Sequence, residues 1–129
     1  MISENKISKF IALLISDTKK NKAKWEISTI RTIDSLEGEQ IVIGKIYETE
    51  FKEKNLRLYK YSEPVQVDEF EYLRKTFFKL EFIDESDKNL WTFPYYIREL
   101  QDLYETVQIK SAELDKFFND IIPDESFDF

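Results

Sequence analysis

The sequence predicts an α+β domain: an N-terminal helix, a four-stranded antiparallel meander and two C-terminal helices, arranged in two layers. Three observations carry this expectation. Apolar residues recur at helical spacing near both ends of the chain, apolar and polar residues alternate with a period of two from Gln40 to Phe93, and short polar runs break that alternation into separate strands.

Ile7, Phe10, Ile11, Leu14 and Ile15 fall on one face of a helix. Ser3 is placed to cap its start and Glu4 to complement its first turn, and the helix is expected to end near Asp17–Lys20. The stretch Trp25–Leu36 has no clear period and reads as irregular, with a short strand or a turn of helix within it. Alternation then begins at Gln40 and runs to Phe51, one strand. Lys52–Asn55 reads as a turn, and Leu56–Tyr61 as a second strand interrupted at Ser62-Glu63-Pro64. Phe70–Asp84 is a third strand, Glu85–Asn89 a polar turn, and Leu90–Phe93 a short fourth strand stopped by Pro94. Ile97, Leu100, Leu103, Tyr104 and Val107 share a helix face. Ser111 is expected to cap a last helix through Leu114, Phe117, Phe118 and Ile121, ended by Pro123. Residues 1–122 thus form a single domain, and residues 123–129 an acidic-aromatic tail.

Composition sets bounds. At 129 residues, 42% of them hydrophobic, the chain is long enough for one core without disulfides or structural metals. It has no Cys and no His, which excludes thiolate chemistry and disulfides and removes the usual neutral-pH acid/base catalyst. No apolar run approaches the ~20 residues of a membrane span, and no secretory signal is legible in Ile2–Ile15. A cytoplasmic protein without cofactor is the expectation.

The net charge of −7 is unevenly placed. Residues 1–60 carry 12 Lys/Arg and 9 Asp/Glu, whereas residues 61–129 carry 7 and 17. Residues 99–129 alone hold nine acids against Lys110 and Lys116. Such acidity disfavours direct contact with nucleic-acid phosphates. It favours a protein partner with a basic surface, whose encounter it would speed.

Chemical motifs are scarce. Asp84-Glu85-Ser86-Asp87 offers oxygen ligands, but a calcium loop of the EF-hand type would need a Gly where Leu90 stands, so a hairpin turn is the simpler reading. Glu48 with Glu50, and Glu69 with Glu71, share strand faces as carboxylate pairs and read as solvated surface. No phosphate-cradling glycine loop is present. The basic run Lys19–Lys24 reads as a solvated helix end, or as a basic edge that could help the molecule pair with itself as a homodimer. No catalytic, metal or cofactor residue is assigned.

The segment Leu90-Trp91-x-Phe93-Pro94-Tyr95, with Leu100-x-Asp102-Leu103-Tyr104-Glu105-x-Val107-Gln108 and Phe117…Asp120-Ile121, resembles an uncharacterised family of small acidic proteins of Gram-positive bacteria and their phages and mobile elements. The resemblance implies a bacterial or phage setting and no catalytic residue. Proteins of that kind often inhibit defence systems or neutralise toxins.

Two site expectations follow. In the first, a non-enzymatic binding protein uses Glu99, Asp102, Glu105, Glu113, Asp115, Asp120, Asp124, Glu125, Phe127 and Phe129 to cover a basic, nucleic-acid-binding surface of a larger protein such as a nuclease or toxin. An anti-CRISPR-like inhibitor and a toxin-immunity protein are two forms of it. In the second, an aromatic pocket built from Arg57, Tyr59, Arg74, Lys79, Trp91, Tyr95, Tyr96 and Arg98 holds a small ligand such as a nucleotide.

Overall fold

The computed structural model describes residues 2–122; the tail residues Asp124, Glu125, Phe127 and Phe129 lie outside the described residues. The chain forms helix α1 (Glu4–Lys19), strands β1 (Glu26–Ile27), β2 (Ile41–Phe51), β3 (Lys54–Gln66), β4 (Tyr72–Ile83) and β5 (Asn89–Thr92), and helix α2 (Glu99–Ile121). The five strands make one antiparallel sheet in sequence order. The α+β class therefore stands, with one strand more and one helix fewer than the sequence suggests.

α1 forms as its sequence dictates. The Ser3 side chain accepts a hydrogen bond from the Lys6 amide, and Ile7, Ile11 and Leu14 are buried. They meet Tyr47, Leu56, Leu58, Leu80, Phe93, Leu100, Leu103, Tyr104 and Val107 in the main core, between the two helices and one face of the sheet. Phe10 stacks on Phe93 at 5.8 Å and meets Phe51 edge-on at 5.9 Å, so ring contacts tie α1 to both ends of the meander.

The turn between β2 and β3 is tighter than Lys52–Asn55. Phe51 pairs with Lys54, leaving Lys52 and Glu53 as a two-residue loop with φ of 52° and 66°. Two consecutive positive φ values define a type I′ turn, which matches strand twist but usually recruits Asn-Gly. β3 also continues through Ser62-Glu63-Pro64 rather than stopping there. Its pairing with β2 ends at Ser62, so Pro64 sits where β3 has β4 alone as a neighbour and a missing N–H is tolerated. β3 and β4 beyond that point form a two-stranded arm whose end exposes Val67, Phe70, Tyr72 and Leu73.

The segment between Lys24 and Gln40 contains β1, which pairs with Tyr47 and Glu48 of β2. The rest of it lies on the sheet face opposite the helices. There Ile30, Ile33 and Leu36 pack with Val42, Ile46, Tyr59, Tyr61 and Phe77 in a second, smaller core. The two-layer picture is thus extended by an irregular cover on the far face.

α2 is one continuous helix where two are expected. Ser111 is not a cap: it lies mid-helix and half-buried. Ala112 favours a helix and Ser111 weakens one only slightly, so neither breaks it. Near Tyr104 the strand β2 carries an irregularity at Gly44, where φ is +72° and a Cβ would lie 3.4 Å from the Tyr104 hydroxyl. Glycine answers both demands at that crossing.

Candidate functional site

The longest-range polar constellation is centred on Arg57 and Glu81, which sit directly opposite one another on β3 and β4. Both side chains are 0% exposed. Arg57 Nε donates to Glu81 Oε1 at 2.6 Å, its Nη1 to the Asp87 carbonyl at 3.0 Å and its Nη2 to Asp34 Oδ1 at 3.3 Å. Glu81 Oε2 accepts from Ser35 Oγ at 2.7 Å and Asn89 Nδ2 at 2.6 Å. The Asn89 amide donates to Asp34 Oδ2 at 3.0 Å, and Ser35 Oγ lies 3.1 Å from the Tyr59 hydroxyl. The bond from the Asn89 amide, reinforced by Arg57, holds the Asp34 carboxyl below its ordinary pKa.

Lys79 borders this network. Its Nζ donates to the Ser35 carbonyl at 3.2 Å and lies over the Tyr61 and Tyr59 rings at 5.0 and 5.9 Å. Burial lowers its pKa, and Glu81, Glu37 and Glu63 oppose that shift. Asp34, Ser35, Glu37, Gln40, Lys79, Asn89 and Thr92 line a polar cleft of about 410 Å³ above the pair. Two carboxylates, Asp34 and Glu81, converge here, but both converge on one guanidinium and are hydrogen-bonded to it. The arrangement fastens the irregular segment 33–36 to the sheet: its groups spend their hydrogen bonds on one another.

The pocket residues expected from sequence are brought together only in part. Arg57, Tyr59 and Lys79 share the network. Arg74 lies farther along β4 and bonds Ser62 and the Glu39 carbonyl. Trp91 meets Phe93 at 4.7 Å, beside the main core. Tyr95 packs edge-on against Phe77, Tyr96 reaches Glu4, whose carboxylate raises its pKa, and Arg98 is exposed at the start of α2.

The acidic residues behave differently. At about 100° per residue, Glu99, Asp102, Glu105, Glu113 and Asp120 fall within roughly 120° of the circumference of α2, interrupted by the cation Lys116. The buried Leu100, Leu103, Tyr104 and Val107 occupy the opposite side. Glu99 is half-buried and the other four are exposed. The stripe is about 31 Å long at 1.5 Å per residue. Asp115 is off it, 4.0 Å from Lys45 of β2, while Glu113 is 3.7 Å from Lys110. Exposed Tyr95 and Tyr96 stand immediately before the stripe.

A polar cleft of about 500 Å³ lies elsewhere, with Lys22, Lys24, Glu48, Glu50 and Asp84 among its walls. Glu48 is half-buried rather than solvated, and its Oε2 has no hydrogen-bond partner among the described residues; Glu50 is exposed, as are Glu69 and Glu71. Asp84 is engaged by its own turn, accepting from the Ser86 and Lys88 amides at 2.8 and 3.0 Å. Among the described residues no three His, Cys, Asp or Glu side chains gather as metal ligands, and no helix is long and apolar enough to cross a membrane.

Sequence reasoning located the acidic helix face but missed the Arg57–Glu81 pair. One signal was available: alternation along β3 and β4 brings Arg57 opposite Glu81 once the turn joining those two strands sets the register. Comparison with protein-family models, curated protein sequences and solved structures found no match.

Proposed function

We propose that the protein is a non-enzymatic binding module that presents the outer face of α2 to a basic surface of a larger protein. The observation that supports this reading is the alignment of Glu99, Asp102, Glu105, Glu113 and Asp120 along one side of a single helix. An unbroken helix holds these charges on a fixed, straight track, so their potential adds along its length. Exposed Tyr95 and Tyr96 beside Glu99 supply aromatic anchors of the kind that dominate interface energetics. At about 31 Å the row of acids is close to the ~34 Å of one helical turn of duplex, a length that suits a nucleic-acid channel, so the concrete form is an inhibitor of a bacterial nuclease or toxin, in an anti-defence or immunity role.

The test is affinity capture from a bacterial host at low and high salt, with Asp102→Lys/Glu105→Lys/Glu113→Lys as the control. All three positions are exposed, so the variant should fold, which its thermal midpoint checks. The expected result is a basic partner held by the natural chain at ~0.05 M salt, released at ~0.5 M as screening shortens, and absent with the variant. Partners that are neutral or acidic, or that ignore both salt and charge reversal, would sink the proposal.

A further inference from the structure

The side of α2 opposite the acid stripe changes character along its length. Leu100, Tyr104, Val107, Ser111, Leu114, Phe118 and Ile121 follow one another at alternating spacings of four and three, the stripe of a helix that packs against something throughout. Through Val107 that stripe is buried on the sheet and α1. Beyond Ser111 it is bare among the described residues: Leu114, Phe118 and Ile121 are 53–60% exposed, and Ile122 is exposed with them. About three turns of α2 overhang the body of the domain with their apolar side uncovered by any other described residue.

The overhang is continuous with a groove of about 490 Å³. Ala23, Trp25, Val107, Leu114 and Phe118 give it apolar walls, and Lys24 and Lys110 stand on its rim. Trp25 is fixed there, its Nε1 donating to Thr18 Oγ1 at 3.0 Å. An apolar occupant fits these walls, and negative charge on it would be favoured beside Lys24 and beside Lys110, which is 3.7 Å from Glu113 of its own helix.

We infer that this face seats the same overhang of a second copy of the chain, α2 against α2 in antiparallel orientation about a two-fold axis. Three features select that occupant. Orientation comes first: a parallel partner would run its own Leu100–Val107 half into the sheet and α1 that already cover this side, whereas an antiparallel partner leads away from them. Charge comes second. The last turn of α2 has no basic residue and contains Asp120, so its outward carbonyls and dipole lack a cation. Antiparallel pairing brings that end of each helix to the Lys24–Lys110 rim of the other. Area comes third. Four side chains of this size, each about half exposed, offer roughly 400 Å² of apolar surface. Two copies together contribute roughly 800 Å², most of the apolar part of a standard interface. In this pairing Leu114 of one copy meets Phe118 of the other, and Ile121 enters the groove beside Trp25. The acid stripes remain on the outside, so this inference is independent of the function proposed above.

The experiment is sedimentation equilibrium on the full chain from about 1 to 300 μM, with cysteine trapping. A mass that rises to twice the monomer is expected. Phe118→Asp should remain monomeric throughout, with its thermal midpoint unchanged because Phe118 is exposed in the monomer; Ile121→Asp serves the same purpose if Phe118→Asp fails to fold. Lys24→Glu/Lys110→Glu should raise the dimer Kd at least tenfold. The chain has no native cysteine, so a mixture of Leu114→Cys and Phe118→Cys reports orientation cleanly. Antiparallel pairing yields the mixed 114–118 disulfide. A monomer at every concentration, or a dimer unaffected by both Asp variants, overturns the inference, as does trapping of 114–114 and 118–118 disulfides in its place.

Discussion

Replacing Arg57 with Met removes the cation at the centre of the polar network while keeping most of the side-chain volume. Glu81 is then left 0% exposed with two neutral donors, Ser35 and Asn89, and no counter-charge. Breaking a buried pair from one side typically costs 3–5 kcal/mol. The partly exposed Asp34 contact adds little, because solvent screens it. Global stability for a domain of this kind is about 5–15 kcal/mol, so the loss is a large share of the total. With a urea m-value near 1.5 kcal/mol/M, the midpoint should fall by about 2–3 M at unchanged m. Arg57→Met/Glu81→Leu should recover most of that stability, because an apolar pair leaves no orphaned charge. The double variant should nevertheless weaken its hold on the irregular cover, since Ser35 loses Glu81 and Asp34 loses Arg57, leaving Ser35 with Tyr59 and Lys79 and Asp34 with the Asn89 amide. Amide exchange at Ile33–Leu36 should quicken even though the melting transition is nearly restored. A single substitution costing under about 1 kcal/mol, or a double variant as unstable as the single, would refute this account of the pair.

Two leucines on one helix should respond differently: Leu103→Ala, fully buried, should cost about 2–5 kcal/mol, whereas the exposed Leu114→Ala should cost the monomer under about 0.5 kcal/mol, both read by urea titration at low concentration. Lys52→Asn/Glu53→Gly places the preferred residues in a turn whose two φ values are positive and should stabilise by about 1 kcal/mol; no gain in melting temperature would argue against a type I′ turn. Gly44→Ala, at φ +72° and against the Tyr104 hydroxyl, should destabilise by about 1–2 kcal/mol. Burial raises the pKa of Tyr47, Tyr59, Tyr61 and Tyr104, so their folded forms hold protons that the unfolded chain releases above about pH 10. Their contribution is fully present below that pH and is lost as pH rises toward the folded values; alkaline unfolding should therefore coincide with tyrosinate absorbance at 295 nm, and ionisation of all seven tyrosines without unfolding would contradict it.

The elements most legible in sequence are those fixed by local rules. α1 announces itself through Ile7, Ile11 and Leu14 at helical spacing and Ser3 at the cap. β2 and β4 do so through alternation. The outer face of α2 follows from the same periodicity that identifies its buried face, which is why the acid stripe was visible. The Lys52-Glu53 turn was not, because residues unsuited to positive φ are held there by the strands on either side. Ser111 misled because serine is common at caps, while the apolar spacing of α2 runs on through it without a break. The cover over the second face is the hardest case. Its path depends on Ser35 meeting Glu81 and Asp34 meeting Asn89, 46 and 55 residues apart. An isolated Arg and an isolated Glu at polar positions of alternating strands read as solvent-facing, and only register together with that cover makes them interior.

The β3–β4 arm has a bearing on how the protein behaves when concentrated. Past Ser62 its ribbon has no neighbour strand on the β2 side, and β5 joins β4 only at Glu81–Ile83, so backbone donors and acceptors line two open margins. Such margins invite strands from other molecules and seed precipitation. Pro64 removes one donor, and Glu63, Asp68, Glu69, Glu71, Arg74 and Lys75 crowd charge around an end that also exposes Phe70. Colloidal stability of this chain therefore rests on a few residues of the arm, and changes there that leave the fold intact would surface as turbidity rather than as a lower melting temperature.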